Sequence, residues 1–127
     1  MGKGRKESTG VTDIIVRGLL EKKGEKVALI DLRNIENRIC DWFVISHAAS
    51  TRLVDSLVWS VEDVVRRETG VKPCRIEGRE NCICVLLDYG DILVHIFQKP
   101  YRDFYDLESL WADGRITFID DNMEKKG

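Results

Sequence analysis

The sequence predicts a single α/β domain built on a five-stranded mixed sheet with helices on one side. Three observations carry this reading. Leu53, Val54, Leu57, Val58, Val61, Val64 and Val65 recur on one stripe at helical spacing. Residues 82–88 and 91–98 alternate like two strands, joined by Asp88-Tyr89-Gly90-Asp91. A chain of 127 residues is long enough for one compact core and too short for two ordinary domains.

The elements follow in order. Residues 1–9 are polar and basic and read as a flexible tail. Val11, Ile14, Ile15 and Leu19 then recur at helical spacing, and Gly24 follows Lys22-Lys23 as a stop signal, so residues 10–23 form the first helix. Val27 to Arg33 is a strand whose continuously apolar centre, Ala28-Leu29-Ile30, suits cover on both faces. After a polar connection, Asp41 to Ala48 is rich in aromatic and β-branched residues and gives the second strand. The long helix comes next, with Ser50 or Thr51 as N-cap and Gly70 just past its end. Trp59 falls off its apolar stripe and is a candidate surface aromatic, open to contact with a second copy.

Lys72 to Glu77 is a short third strand, and the hairpin supplies the fourth and fifth. A two-residue Tyr89-Gly90 loop would set Asp88 opposite Asp91, Leu86 opposite Leu93, Cys84 opposite His95 and Cys82 opposite Phe97. Ile83, Val85, Leu87, Ile92, Val94 and Ile96 then form an all-aliphatic face for packing under helices. The opposite face mixes apolar, acidic, thiol and imidazole groups, which suits contact with a partner. Residues 101–111 carry Tyr101, Phe104, Tyr105, Leu107, Leu110 and Trp111 at a spacing compatible with a short helix from Arg102. Leu107 and Leu110 are expected inward, with Tyr105 and Trp111 bordering the mixed face. Beyond them, residues 114–127 form a C-terminal extension in which a weak strand at Ile116 to Ile119 gives way to fraying.

Several function classes are excluded or demoted. The longest apolar runs are far too short to cross a bilayer, and the first ten residues lead into no signal-peptide stretch, so a cytoplasmic address is expected. A net charge of −2 argues against broad attraction to nucleic acid, which needs a clustered cationic excess. An RNA-binding module would have to rest on Lys3 to Lys6 and Arg66-Arg67. Neither a P-loop nor a dinucleotide-binding glycine pattern occurs between a strand and a helix, so no nucleotide cofactor is expected.

Two constellations remain open to chemistry. Asp88 and Asp91, if opposed, would repel unless a metal ion or a basic partner lay near; in a solvated turn they would merely help form it. Cys82, Cys84 and His95, with Cys40 or His47, could in principle surround zinc, but the C-x₂₋₄-C knuckle of structural zinc is absent and plain packing of cysteine is favoured. The rival class is therefore a metal-dependent, nucleotidyltransferase-like enzyme. No metal is expected.

Specific blocks of the chain resemble the ribosomal silencing factor family, also called RsfS or Iojap. They are A-L-I-D-L-R at 28–33, D-W-F-V-I-S at 41–46, L-L-D-Y-G-D-I-L-V-H-I-F at 86–97 and R-D-F-Y-D-L-E-S-L-W at 102–111, so the resemblance covers residues 10–113. It implies a fold similar to nucleotidyltransferases without their catalytic apparatus. It also implies a non-enzymatic translation repressor that binds the large ribosomal subunit through ribosomal protein fourteen and sterically blocks subunit joining. The implied partner-binding residues are Cys84, Leu86, Asp88, Tyr89, Asp91, His95, Phe97, Arg102, Tyr105 and Trp111. In two places the chain departs from the family pattern. Cys84 stands where the family usually has Trp, and residues 47–50 replace a usual Gly-Thr or Gly-Ser.

Overall fold

The computed structural model describes the backbone of residues 3–105 and 114–119 and the side chains of 10–102 and 114–119. Its elements in chain order are α1 (Lys3–Glu21), β1 (Glu25–Asp31), β2 (Trp42–Ala48), α2 (Thr51–Thr69), β3 (Arg75–Glu77), β4 (Cys84–Asp88), β5 (Ile92–Gln98), α3 (Lys99–Tyr105) and β6 (Arg115–Ile119). The strands form one sheet in the order β3-β4-β5-β2-β1-β6. Only the β2/β5 pairing is parallel, so the sheet is mixed as expected.

The sheet has six strands rather than five. The sixth comes from the weak strand of the C-terminal extension, which pairs residue for residue with β1 from Val27↔Ile119 to Asp31↔Arg115. Fraying is thus not what residues 115–119 do: β1 offers them an open edge, and pairing satisfies backbone groups that a tail would leave to water. The first helix also starts earlier than its apolar periodicity, at Lys3 instead of residue 10.

Capping explains the ends of α2. Ser50 is its N-cap, the side chain accepting from the Leu53 N–H at 3.2 Å, and Gly70 closes it in the left-handed region at φ 76°, its N–H donating to Arg66 C=O. The predicted stripe is buried from Val54 to Val65, whereas Leu53, in the first turn, stays exposed. That stripe meets Ile15 and Leu19 of α1 and the sheet residues Val44, Val85, Leu87, Val94 and Ile96 in one apolar cluster. Between the helices, the buried Ser60 hydroxyl donates to Gly18 C=O at 2.6 Å. Ser60→Ala removes this bond, and we expect about 1 kcal/mol of lost stability in urea denaturation.

The reverse side of the sheet differs from the expected open surface. Ala28, Ile30, Leu32, Cys40, Phe43, Ile45 and Phe97 form a second buried cluster there, with Cys84, Leu93 and Ile116 packed against it. Strand β2 lies between the two clusters and is buried at every position. This accounts for its nearly unbroken apolar sequence: a central strand has no solvent face.

Candidate functional site

The hairpin of β4 and β5 forms, but two residues out of the expected register. Cys84 faces Phe97, Leu86 faces His95, and Asp88 faces Leu93. A shift of two preserves which face each side chain occupies. The cause lies in the turn. A Tyr89-Gly90 loop of the favoured type would need φ > 0 at tyrosine; instead Tyr89 N–H donates to Ile92 C=O at 2.9 Å, and Gly90, at φ 87°, takes the first loop position with Asp91 second.

The two carboxylates are therefore not opposed. Asp88 accepts from the Gly90 N–H at 2.8 Å and lies 3.5 Å from the Arg75 guanidinium of β3. Asp91 sits exposed at the hairpin tip, where its backbone carbonyl accepts from the N–H groups of Asp41 and Trp42 at 2.8 and 3.1 Å. These bonds tie the tip to the start of β2. A carboxylate pair for metal-dependent nucleotidyl transfer is not assembled by this geometry.

Tyr89 turns to the helix side and packs against the first cluster. Its hydroxyl is buried without a hydrogen-bond partner among the described residues, and burial, helped by Glu62, raises its pKa. Cys82 also leaves the expected face. At φ 55° it interrupts the strand ahead of β4, so it packs into the helix-side cluster, with its thiol donating to Arg79 C=O at 3.3 Å. The residues that could in principle have surrounded zinc are split across the sheet. Among the described residues, no group of three or more His, Cys, Asp or Glu could hold a metal ion.

Cys84, Leu86, Asp88, Leu93, His95 and Phe97 do share the second face. Phe97 is only 1% exposed and serves the core, while Leu86 and Leu93 are half-buried. His95 stands edge-on to Phe43 at 4.8 Å between ring centroids and stacks on Phe97 at 5.8 Å. Burial pushes its pKa down to about 4, and the Cys84 thiol, 3.9 Å from Nδ1, is pushed up to about 11 for the same reason. Neither shift creates a thiolate–imidazolium pair, because each favours the neutral form. The pair is not set up for nucleophilic chemistry.

Arg102 is 5% exposed, and thus recessed from any surface contact. Its guanidinium donates to Lys26 C=O at 2.6 Å and lies 3.1 Å from His47 Nδ1. A guanidinium has only donors, so Nδ1 accepts and the imidazole proton resides on Nε2, 3.4 Å from the Glu25 carboxylate. Burial and the adjacent Arg102 charge lower the His47 pKa. This clamp joins α3 to β1 and β2, and sequence reasoning missed it, because nothing in the spacing links residue 102 to residues 26 and 47. The Tyr105 side chain and residues Leu107, Leu110 and Trp111 lie outside the described residues.

Trp59 is 60% exposed, as its place off the stripe predicts. The Arg79 guanidinium lies over its ring at 5.3 Å and also bonds Glu62 at 2.9 Å. Together with Val71, Pro73 and Ile76 they line a groove of about 520 Å³ beside β3.

Comparison with known proteins places this geometry in a family. The ribosomal silencing factor RsfS of Halalkalibacterium halodurans is 36% identical over 100 residues, covering 79% of this chain and 84% of that protein. That of Bacillus subtilis is 31% identical over 105 residues, covering 83% and 87%. A crystal structure of a protein from Chromobacterium violaceum superposes with a TM-score of 0.76 at 28% identity, covering 88% of this chain and 92% of that one. The family profile described as RsfS, ribosomal silencing factor during starvation, matches residues 5–127, a span that includes β6. The chain belongs to the ribosomal silencing factor family.

Proposed function

We propose that this protein binds the large ribosomal subunit through ribosomal protein fourteen and keeps the small subunit from docking there, repressing translation. Its action is cytoplasmic and steric: it needs affinity and bulk but no bond chemistry. Family membership supports the ribosomal setting. The observation that carries the surface is the hairpin register, which sets Leu86, Asp88 and Leu93 on one face with Asp91 at the exposed tip. Half-buried leucines beside carboxylates suit an apolar patch rimmed by Lys and Arg on the partner. Within this reading Cys84 and His95 shape the floor of the face, Phe97 and Tyr89 support it from the core, and Arg102 positions α3; Tyr105 and Trp111 complete the proposed contact set from outside the described side chains.

The test uses Leu86→Arg with Asp91→Lys, since neither side chain belongs to an apolar cluster and the fold should survive. Co-sedimentation with purified large subunits is expected to weaken about tenfold or more, equivalent to at least ~1.4 kcal/mol. The variant should also lose the ability to prevent subunit joining measured by light scattering. Undiminished binding and blocking by a folded variant would remove this face from the mechanism.

A further inference from the structure

Ile39 is 62% exposed, the most open large apolar side chain among the described residues. It stands in the connection from β1 to β2, and that connection is held at several points. Leu32 N–H donates to Asp41 C=O at 2.9 Å and Ile35 N–H to Leu32 C=O at 3.0 Å, which closes the loop across its base. Arg38 donates to the Asp41 carboxylate at 2.9 Å and to Ile35 C=O at 3.3 Å. Ile35 and Cys40 turn inward onto the second apolar cluster, and the Cys40 thiol donates to Trp42 C=O at 3.2 Å. Ile39 is left outside, between a buried cysteine and a bonded arginine. The loop also lies against the hairpin: Asp41 and Trp42 N–H groups reach Asp91 C=O at its tip, and the Cys40 thiol meets the Leu93 backbone.

We propose that Ile39 is an apolar anchor of the docking surface, presented by the loop 33–41 beside the β4/β5 hairpin, and that its occupant is a protein pocket rimmed by Lys or Arg. The inference rests on the large-subunit reading above and adds a second contact element to it. Rigidity is the first support. A side chain whose loop is already fixed loses little further freedom when it is buried by a partner. Continuity is the second: Ile35, Cys40 and Leu93 meet in one cluster, so the loop borders the face that carries Leu86 and Asp88. Charge decides the kind of partner. Arg33 and Arg38 are engaged by Asp31 and Asp41, whereas the exposed Glu36 and Asp91 have no ion-pair partner among the described residues. The uncompensated charge around Ile39 is therefore acidic, which repels RNA phosphate and favours a basic protein surface. Trp59 lacks this setting: it lies on α2, on the other side of the sheet, with Arg79 over its ring.

Ile39→Ser should weaken co-sedimentation of the full chain with purified large subunits about tenfold or more. Far-UV circular dichroism and the melting temperature should stay near the parent's, because Ile39 belongs to neither apolar cluster. Ile39→Leu keeps the volume and should retain binding to within about twofold. Ile39→Lys separates the two kinds of partner. Against a pocket rimmed by Lys and Arg it should bind more weakly than Ile39→Ser; tighter binding with a steeper salt dependence would mark RNA phosphate and overturn the proposal. Trp59→Ser, at a similar exposure of 60%, is the control and should bind as the parent does. An equal loss in that control overturns the assignment to Ile39. Failure here is separable from failure of the large-subunit reading. A folded Ile39→Ser that binds like the parent, while Leu86→Arg with Asp91→Lys does not, removes the loop alone; if both bind like the parent, the whole docking face falls with it.

Discussion

Gly78→Ala is expected to destabilise the domain by about 3 kcal/mol or more, and among the described glycines an added Cβ makes its tightest contact here. Two costs combine. Gly78 holds φ at 84°, where an L side chain is strained by about 1–2 kcal/mol, and a Cβ there would overlap the carbonyl oxygen of Cys84. That carbonyl belongs to the first residue of β4, so relief requires moving the strand or the loop that leads into it. The loop has little freedom: Gly78 C=O accepts from Cys82 N–H at 3.1 Å, and Ile83 C=O accepts from Gln98 N–H of β5 at 2.8 Å. Gly70→Ala is the control. Its φ of 76° carries a similar backbone strain, but nothing lies within 4 Å of the added methyl, so only the conformational part, about 1–2 kcal/mol, should be lost. Urea denaturation of both variants separates strain from crowding. Equal losses would show that the Cys84 backbone yields easily. Because β4 carries Leu86 and Asp88, a displaced strand should also weaken subunit binding in Gly78→Ala but not in Gly70→Ala.

The same hairpin marks the boundary of what the sequence makes legible. Side-chain alternation assigned Val85, Leu87, Val94 and Ile96 correctly to the helix side, because facing depends only on parity. Register depends on the turn, and there a Tyr-Gly pair invited a loop that would have strained tyrosine; the chain avoids that strain by advancing Gly90 one place. The carboxylate opposition was an artefact of that step. Cys82 left its face because a single residue at positive φ breaks parity, and no residue preference announces a cysteine in that conformation. The second apolar cluster was hidden differently. Its members are contributed by β1, β2, β5 and the connection after β1, so no one segment shows a stripe. Arg102 illustrates the same limit for charge. An arginine in an aromatic segment reads as a surface group, yet here it lies buried against a backbone carbonyl and an imidazole from elements more than fifty residues away. Family blocks carried the recognition, while the placement of individual side chains needed the tertiary contacts.

Acidification from pH 7 to pH 5 is expected to cost about 2 kcal/mol of folding stability through His95 alone. Burial against Phe43, Phe97 and Cys84 lowers its folded pKa to about 4 from an ordinary 6.5. Above pH 6.5 both folded and unfolded chains hold the imidazole neutral, so it adds no slope. Below that value the unfolded chain takes up a proton that the folded chain refuses, which favours unfolding. Stability therefore falls as pH drops through the window from 6.5 to 4 and the contribution levels off beneath it, at about 3 kcal/mol in total. His47, whose pKa is also lowered, acts in the same direction. The carboxylates of Asp31, Asp63 and Glu68, held low by Arg33, by Arg67 and Arg66, and by Arg17, lose their stabilising charge mainly below pH 5 and do not mimic the effect. His95→Leu should flatten most of the slope between pH 7 and 5 and leave the share due to His47. A parallel slope in parent and variant would mean that water or a protein acceptor solvates the imidazolium within the fold. Since His95 lies opposite Leu86 at the centre of the proposed binding face, protonation there is coupled to that surface as well as to stability. A bound partner that selects the neutral, folded hairpin must then lose affinity for the protein population over the same pH window, in proportion to the fraction unfolded.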